Sequence, residues 1–360
     1  MVERRKTRTV FLDNIGIGSE YPISIQSMTN TDTRNVEATL EQISKLKKEG
    51  CEIIRVAVPD KEAAEGLKYI CQKSVLPLVA DIHFDYRLAL IAAESGASGL
   101  RINPGNIGKE SAIREVSKKA SYFNIPIRIG VNAGSLEKKI MEKYKEANSE
   151  AMVESALYNA ELLEKYSFKN IKLSLKSSNV TTTIEAYRKI AKLTDYPLHL
   201  GVTEAGSRET GIIKSAIGIG SLLSQGIGDT IRVSLTGDPL KEIPIAKKII
   251  ETLGIRKRTG VEIISCPTCG RCKIDLELLL SGVEKSLEGI DYPLKIAVMG
   301  CPVNGPGEAK EADLGIAGGD GVGLIFKKGM IIDKVDEAKL IDRFREELIK
   351  MRRSDDNEND

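Results

Sequence analysis

The sequence is short of most features that announce a function. Lys and Arg number 53 against 51 Asp and Glu, a formal net charge of +2 over 360 residues. That balance leaves no electrostatic footprint for nucleic acid or an anionic membrane. No apolar run approaches the ~20 residues that a bilayer span requires. The basic start Met1-Val-Glu-Arg-Arg-Lys6 leads into no signal-like apolar stretch, so the expectation is a soluble cytoplasmic protein. No Gly-x-Gly-x-x-Gly follows the first strand-like run, which weighs against an open dinucleotide-binding sheet. Six cysteines are too few for a disulfide scaffold, and His83 and His199 are the only histidines.

What is present is a hydrophobic fraction of 41%, enough for a large core and incompatible with wholesale disorder. Short apolar runs recur at Ile23–Gln26, Ile53–Val58, Leu76–Asp81, Gly99–Asn103, Ile125–Val131, Ile171–Lys176, Leu198–Val202 and Thr230–Leu235. Helical patterns such as Val36–Glu49 and Asn148–Lys165 separate them, the latter opening on an Asn-Ser-Glu start signal. Eight strand–helix units in about 250 residues predict an α/β fold, a closed TIM (β/α)8 barrel over residues 1–256. Thr7–Leu12 reads as a strand plugging or flanking the barrel bottom. A smaller α+β domain follows over 257–353: strands at Val261–Ser265, Leu294–Met299, Leu314–Ala317 and Gly323–Phe326, a helix at Asp275–Gly289 and a closing helix at Val335–Arg353. Residues 354–360 carry four acids and read as a disordered tail.

Strands of a parallel barrel are covered on both faces and should be apolar. Arg55, Arg101, Arg128 and Arg232 break that rule at matching places. A buried guanidinium without a partner is very costly, and only Asp81 and Glu204 end strands as acids. The economical explanation is an anionic ligand at the C-terminal mouth, since the guanidinium fork matches phosphate oxygens. Lys172 and Lys176 add charge, and the pattern implies more than one phosphate. Asn132 and Ser234 lie just beyond Arg128 and Arg232. Asp81 and Glu204 are the candidate acid–base carboxylates at a rim where barrel enzymes keep their chemistry. His83 can share the Asp81 site or serve as a hydrogen-bonded structural residue, whereas His199, inside a strand, reads as core.

Cys266, Cys269, Cys272 and Cys301 crowd into 36 positions. The pattern Cys-x2-Cys-x2-Cys, with a distant Cys-Pro, suits an iron–sulfur site; structural zinc and a thiol–disulfide pair stay open. Gly270, Gly300, Gly305 and Gly307 permit close backbone approach, and Pro306 would start a helix with Glu308 near its N-terminus, where a carboxylate is favoured.

Cys266-Pro-Thr-Cys269-Gly-Arg and Cys301-Pro-Val-Asn-Gly-Pro-Gly-Glu308-Ala resemble the cluster signature of the 4-hydroxy-3-methylbut-2-en-1-yl diphosphate synthase family of the non-mevalonate isoprenoid pathway. The resemblance extends through Pro22–Asn30, Ala80–Phe84, Leu100–Gly108, Arg128–Asn132 and His199–Gly206, and so through nearly the whole chain. It implies two-electron reduction, ring opening and dehydration of 2-C-methyl-D-erythritol 2,4-cyclodiphosphate. It implies a [4Fe–4S] cluster on Cys266, Cys269, Cys301 and Glu308, the carboxylate being the ligand that can yield to substrate. It places substrate contacts on Arg55, Arg101, Arg128, Asn132, Lys176, Arg232 and Ser234, with Thr203 and Glu204 near the reacting carbon. It also implies a homodimer and either ferredoxin or flavodoxin as electron donor. Cys272 stands where many members carry another residue; the intact Asn-Gly-Pro-Gly-Glu308 favours the glutamate set over four cysteines. Two other readings are a zinc-ribbon barrel lyase acting on a phosphorylated sugar and a non-catalytic iron–sulfur module, the latter having no use for four strand-borne arginines.

Overall fold

The computed structural model describes residues 2–103, 107, 110–203, 206–290, 292–301 and 309–358, with side chains through 351. The chain divides into two compact units, Met1–Arg256 and Lys257–Asp360. No helix among the described residues is long and apolar enough to cross a membrane.

The first unit opens with a hairpin, β1 (Val10–Leu12) and β2 (Ile15–Ile17). Eight parallel strands follow: β3 (Ser24–Met28), β4 (Ile53–Ala57), β5 (Leu78–Asp81), β6 (Gly99–Ile102), β7 (Ile127–Asn132), β8 (Ile171–Lys176), β9 (His199–Leu200) and β10 (Thr230–Ile231). Their order is β8-β7-β6-β5-β4-β3-β10-β9, and a parallel bridge from Leu173 to Leu198 joins the two ends. The sheet is thus the expected (β/α)8 barrel. Side chains alternate across each strand. Outward residues such as Ile54, Val56, Ala80, Leu100, Ile129, Leu173 and Leu175 pack into one core under the surrounding helices. Several of those helices are capped by a side chain: Asn148 accepts from Ala151 N at 2.9 Å to start Ser149–Glu164, as its sequence signal predicts.

Inward residues tell a different story at the two ends of the barrel. At the bottom, Val10, Leu12 and Ile17 of the hairpin pack on Ile53 and Val79 and form a small apolar floor. Gly99 makes room for it, since a Cβ there would fall 2.5 Å from Leu12 Cδ2. The segment before the hairpin ties this plug to the last strands. Arg4 Nη2 lies 2.8 Å from Asp229 Oδ1, and Arg5 N donates to Gly226 O at 2.9 Å. One step along the strands the interior turns polar and charged. β9 and β10 are shorter than the apolar runs that encode them, and beyond them the two chains still lie close: Arg232 N donates to Leu200 O at 3.0 Å, and a Cβ on Gly201 would fall 2.7 Å from both Arg232 O and Lys176 Nζ.

The second unit is a five-stranded sheet, β11 (Val261–Ser265), β12 (Leu294–Met299), β13 (Leu314–Ala317), β14 (Val322–Lys327) and β15 (Met330–Asp336), in sequential order. β11–β13 are parallel and β13–β15 antiparallel. Leu279 and Val283 of the Leu276–Ser286 helix, with Leu340, Phe344 and Leu348 of the final helix, pack on Ile296, Val298, Leu314 and Ile316. One expectation is corrected here. The closing helix begins at Leu340, not Val335, because Lys328 and Gly329 both take positive φ (48° and 79°). That is the turn which folds Met330–Asp336 back as a hairpin strand. The helix then runs to Glu358; no Gly or Pro interrupts it after Leu340.

Candidate active site

Strand register builds the site. Asp81 pairs with Arg101, Arg101 with Arg128 and Arg128 with Lys172 across four adjacent strands, and residues in register share a face of the sheet. Asp81 ends β5, while Arg128 and Lys172 are the second residues of β7 and β8. The row therefore descends from the C-terminal rim into the barrel. Asn132 and Lys176 pair above it. Arg55 lies beside Met28, and Arg232 follows β10.

These side chains, with Thr203 and Ser234, converge on one cavity of about 110 Å³, lined also by His83, Ser174 and Val202. Every described residue expected to touch substrate is in that lining. Glu204 and Glu308 lie outside the described residues. Five cations and one carboxylate, Asp81, line the chamber among the described residues. Asp81 Oδ1 lies 3.1 Å from Arg101 Nη1, and its Oδ2 lies 3.3 Å from His83 Nε2 and 3.7 Å from Arg55 Nε. Burial would raise this carboxyl, but Arg55, His83 and Arg101 reverse that and hold it far below the usual range. His83 is thereby placed in the site, half-exposed at its edge. His199 is fully buried, with Nδ1 2.8 Å from Thr230 Oγ1 and Nε2 3.4 Å from Lys176 Nζ. Burial, then Arg128 and Lys176, keep it neutral.

The cations are poorly matched. Burial lowers Arg55 to about 10 even beside Asp81. Its Nε and Nη2 meet only a weak acceptor, Met28 Sδ, at 3.0 and 2.8 Å. Arg128 Nε and Nη1 are buried with no hydrogen-bond partner. Burial and the neighbouring Arg55 and Arg101 push that guanidinium down further, and Lys176 is depressed by burial and by Arg128 and Arg55. Room is made for this crowd: a Cβ at Gly130 would fall 2.4 Å from Arg101 Nε. Sequence reasoning missed one partner. Glu242, buried at the start of the Glu242–Thr252 helix, accepts from Ser27 Oγ at 3.0 Å and from Leu235 N at 3.1 Å, and lies 3.5 Å from Arg232. An acid at a helix start reads as a capping residue, so its sequence carried no sign of this role. Gln26, at a polar strand end, has its amide buried without a partner.

In the second unit Cys266 and Cys301 follow the ends of the paired strands β11 and β12. Gly300 N donates to Cys266 Sγ at 3.2 Å, and a Cβ on Gly300 would fall 2.6 Å from Cys272 Sγ. Cys266, Cys269 and Cys272 are in no disulfide. Among the described residues no three His, Cys, Asp or Glu side chains converge on one ion. The donor set still fits a soft metal group: thiols at adjoining strand ends, and a glycine whose N–H already points at sulfur.

Comparisons with known proteins agree with this geometry. Residues 7–247 match the GcpE TIM-barrel domain and residues 262–350 the GcpE protein C-terminal domain. The barrel resembles solved structures at the level of fold alone. One is a phospho-2-dehydro-3-deoxyheptonate aldolase of Thermotoga maritima, 16% identical over 69% of this chain and 72% of that chain, TM-score 0.50. Another is a Yersinia pestis dihydropteroate synthase, 11% identical over 69% of this chain and 100% of that chain, TM-score 0.51. The 4-hydroxy-3-methylbut-2-en-1-yl diphosphate synthase (flavodoxin) of Caldanaerobacter subterraneus is 59% identical over 98% of this chain and 99% of its own length. The protein of the same name from Clostridium tetani is 57% identical over 96% and 99%. At that identity, and over both units, the chain belongs to the GcpE family of 4-hydroxy-3-methylbut-2-en-1-yl diphosphate synthases.

Proposed function

We propose that the chain reduces 2-C-methyl-D-erythritol 2,4-cyclodiphosphate to 4-hydroxy-3-methylbut-2-enyl diphosphate, taking its electrons from flavodoxin. The observation that carries this reading is the chamber itself. Among the described residues five cations face one carboxylate, with Arg128 Nε and Nη1 unsatisfied, and a diphosphate supplies the missing charge. The flavodoxin in the relatives' names supports the donor. The net chemistry adds two electrons and two protons, breaks the ring C–O bond to phosphate, and releases one oxygen as water.

Arg55, Arg101, Arg128, Lys176 and Arg232 hold the two phosphoryl groups, while Asn132 and Ser234 donate to their oxygens. Asp81 fixes Arg55 and Arg101 in place through its two oxygens. Thr203 and Glu204 stand by the reacting carbon, Glu204 as the acid that protonates the departing hydroxyl. A [4Fe–4S] group on Cys266, Cys269, Cys301 and Glu308 supplies electrons and a Lewis-acidic iron. Cys272 stands aside: its Sγ donates to Ile274 O at 3.3 Å, whereas Cys266 Sγ accepts a backbone N–H. The working form is a cytoplasmic homodimer, for which solution mass is the check.

Anaerobically purified protein, reduced flavodoxin and the cyclic diphosphate should yield the linear diphosphate by mass spectrometry. Protein that carries zinc and no acid-labile sulfide would overturn the reading. The ligand set is tested separately. Glu308→Ala should keep much of its iron and lose most of its turnover, and Cys272→Ala should resemble the parent in iron content and Mössbauer spectrum. The reverse pattern would make Cys272 the fourth ligand.

A further inference from the structure

The row Asp81–Arg101–Arg128–Lys172 has an acid at one end only. Asp81 answers Arg101 at 3.1 Å. Lys172, at the deep end, is 2% exposed, and its Nζ has no hydrogen-bond partner. Its charged surroundings come from every neighbouring strand. Arg128 faces it from β7, Lys176 lies further along β8 itself, and His199 stands on β9, held neutral. Asp229, just before β10, is the one attractive group among the described residues. It is already committed to Arg4 at 2.8 Å and to Leu198 N at 2.8 Å.

A buried ammonium in such company is costly. Arg128 cannot relieve the strain by losing its proton, because a guanidinium stays charged in proteins; a lysine can. We propose that Lys172 is a positioning residue that couples substrate binding to a proton: an amine largely neutral in the anion-free protein on the alkaline side of neutrality, it takes up to one proton from solvent when the diphosphate enters above it. The step is R–NH2 plus H⁺ giving R–NH3⁺, and nothing else changes bonding. The barrel thus raises its positive charge only when a counter-charge has arrived, and the new ammonium pulls the phosphate-bearing end inward behind Arg128. Burial, with Arg128 adding to it, sets the amine at about 7. The switch therefore lies where cells work. The inference rests on the chamber being the diphosphate site, as proposed above.

The experiment is calorimetric titration of the full-length, cluster-loaded protein, without reductant, using the cyclic diphosphate. Each of its phosphoryl groups carries a single strongly acidic proton, so the ligand does not itself titrate near neutrality. At about pH 8, the binding heat should depend on the buffer's ionisation enthalpy with a slope approaching one proton taken up. Affinity should be greatest below the free amine's pKa and fall by about tenfold per pH unit above it. Lys172→Met should bind ~10-fold more weakly at about pH 7 and show no uptake. Lys172→Arg, permanently charged, should also show none. Uptake that survives in both variants belongs to Lys176 or His199 and overturns the assignment. Wild-type binding without uptake, read from the wild-type pH series alone, overturns it even if the variants fail to fold. No binding at all would instead overturn the diphosphate reading, and the inference with it.

Discussion

The floor of the barrel and the chamber above it are built by the same strands two residues apart. β4 gives Ile53 to the floor and Arg55 to the chamber; β5 gives Val79 and then Asp81; β6 gives Gly99 and then Arg101. Both layers are buried, yet one is sealed by the hairpin's Val10, Leu12 and Ile17, and the other is left with a surplus of cations. Burial therefore does not distinguish structural from functional interior positions here. What distinguishes them is whether the partners that burial demands are present in the chain. The floor's partners are, in the hairpin. Among the described residues the chamber's are present only in part: Asp81 and Glu242 answer Arg55, Arg101 and Arg232, while Arg128 Nε and Nη1 are left over, and that deficit describes its ligand.

The largest effect should come from removing Asp81, the one lining acid among the described residues. Asp81→Asn leaves Arg55 and Arg101 buried without a counter-charge, a loss of roughly 3–5 kcal/mol by the cost of breaking a buried pair, measurable by chemical denaturation. Because the folded-state pKa of Asp81 is depressed, its stabilisation is complete above about pH 4 and fades as pH falls. The parent should lose stability between about pH 4 and pH 2 more steeply than the variant, and equal slopes would remove Asp81 from this role.

Arg128→Met is the opposite case. It deletes a cation with no internal partner, so KM should rise ~10²–10³-fold while the melting temperature holds or climbs. A variant that unfolds with KM unchanged would make Arg128 a structural residue and erase the contrast between the layers. On the floor, Leu12→Ala should cost about 2–4 kcal/mol of stability and leave KM alone. Gly99→Ala should hurt the parent and be better tolerated beside Leu12→Ala, because the methyl it adds collides with the leucine. The smallest effect belongs to Glu242→Gln. Its weak 3.5 Å contact with Arg232 makes a change in KM of only about two- to fivefold the expectation, read by steady-state kinetics at low salt.

Much of this was legible in the sequence, for a physical reason. A parallel-barrel strand has so little tolerance for charge that Arg55, Arg101, Arg128 and Arg232 stood out without any structure, and register then brought them together. Strand number and order were equally readable from the alternation of apolar runs and helices. Three things were not. Glu242 enters the site from a helix rather than a strand end, and nothing local separates a capping acid from one turned inward. The β15 strand looked like a helix start because a two-residue turn of Lys328 and Gly329, the deciding signal, is ordinary as composition and special only in its φ angles. Lys172 was seen as added charge, but its depth below Arg128 follows from strand register, which apolar periodicity does not encode.

The Arg4–Asp229 pair and the Ser24–Thr230 pairing join the first strands of the barrel to the last. On the ribosome this imposes a schedule. The floor's apolar contacts are complete once Val79 is made, but neither the Arg4 tie nor the β10 edge of β3 can be satisfied until residue 231 has been made, so the first unit waits as an open, sticky sheet. Contacts of such long sequence separation also make closure slow. Cys266, Cys269 and Cys301 are synthesised after that point. The clustered thiols thus appear only after the barrel can close, and a nascent chain stalled before β10 presents the cell with an unpaired strand edge but none of those thiols.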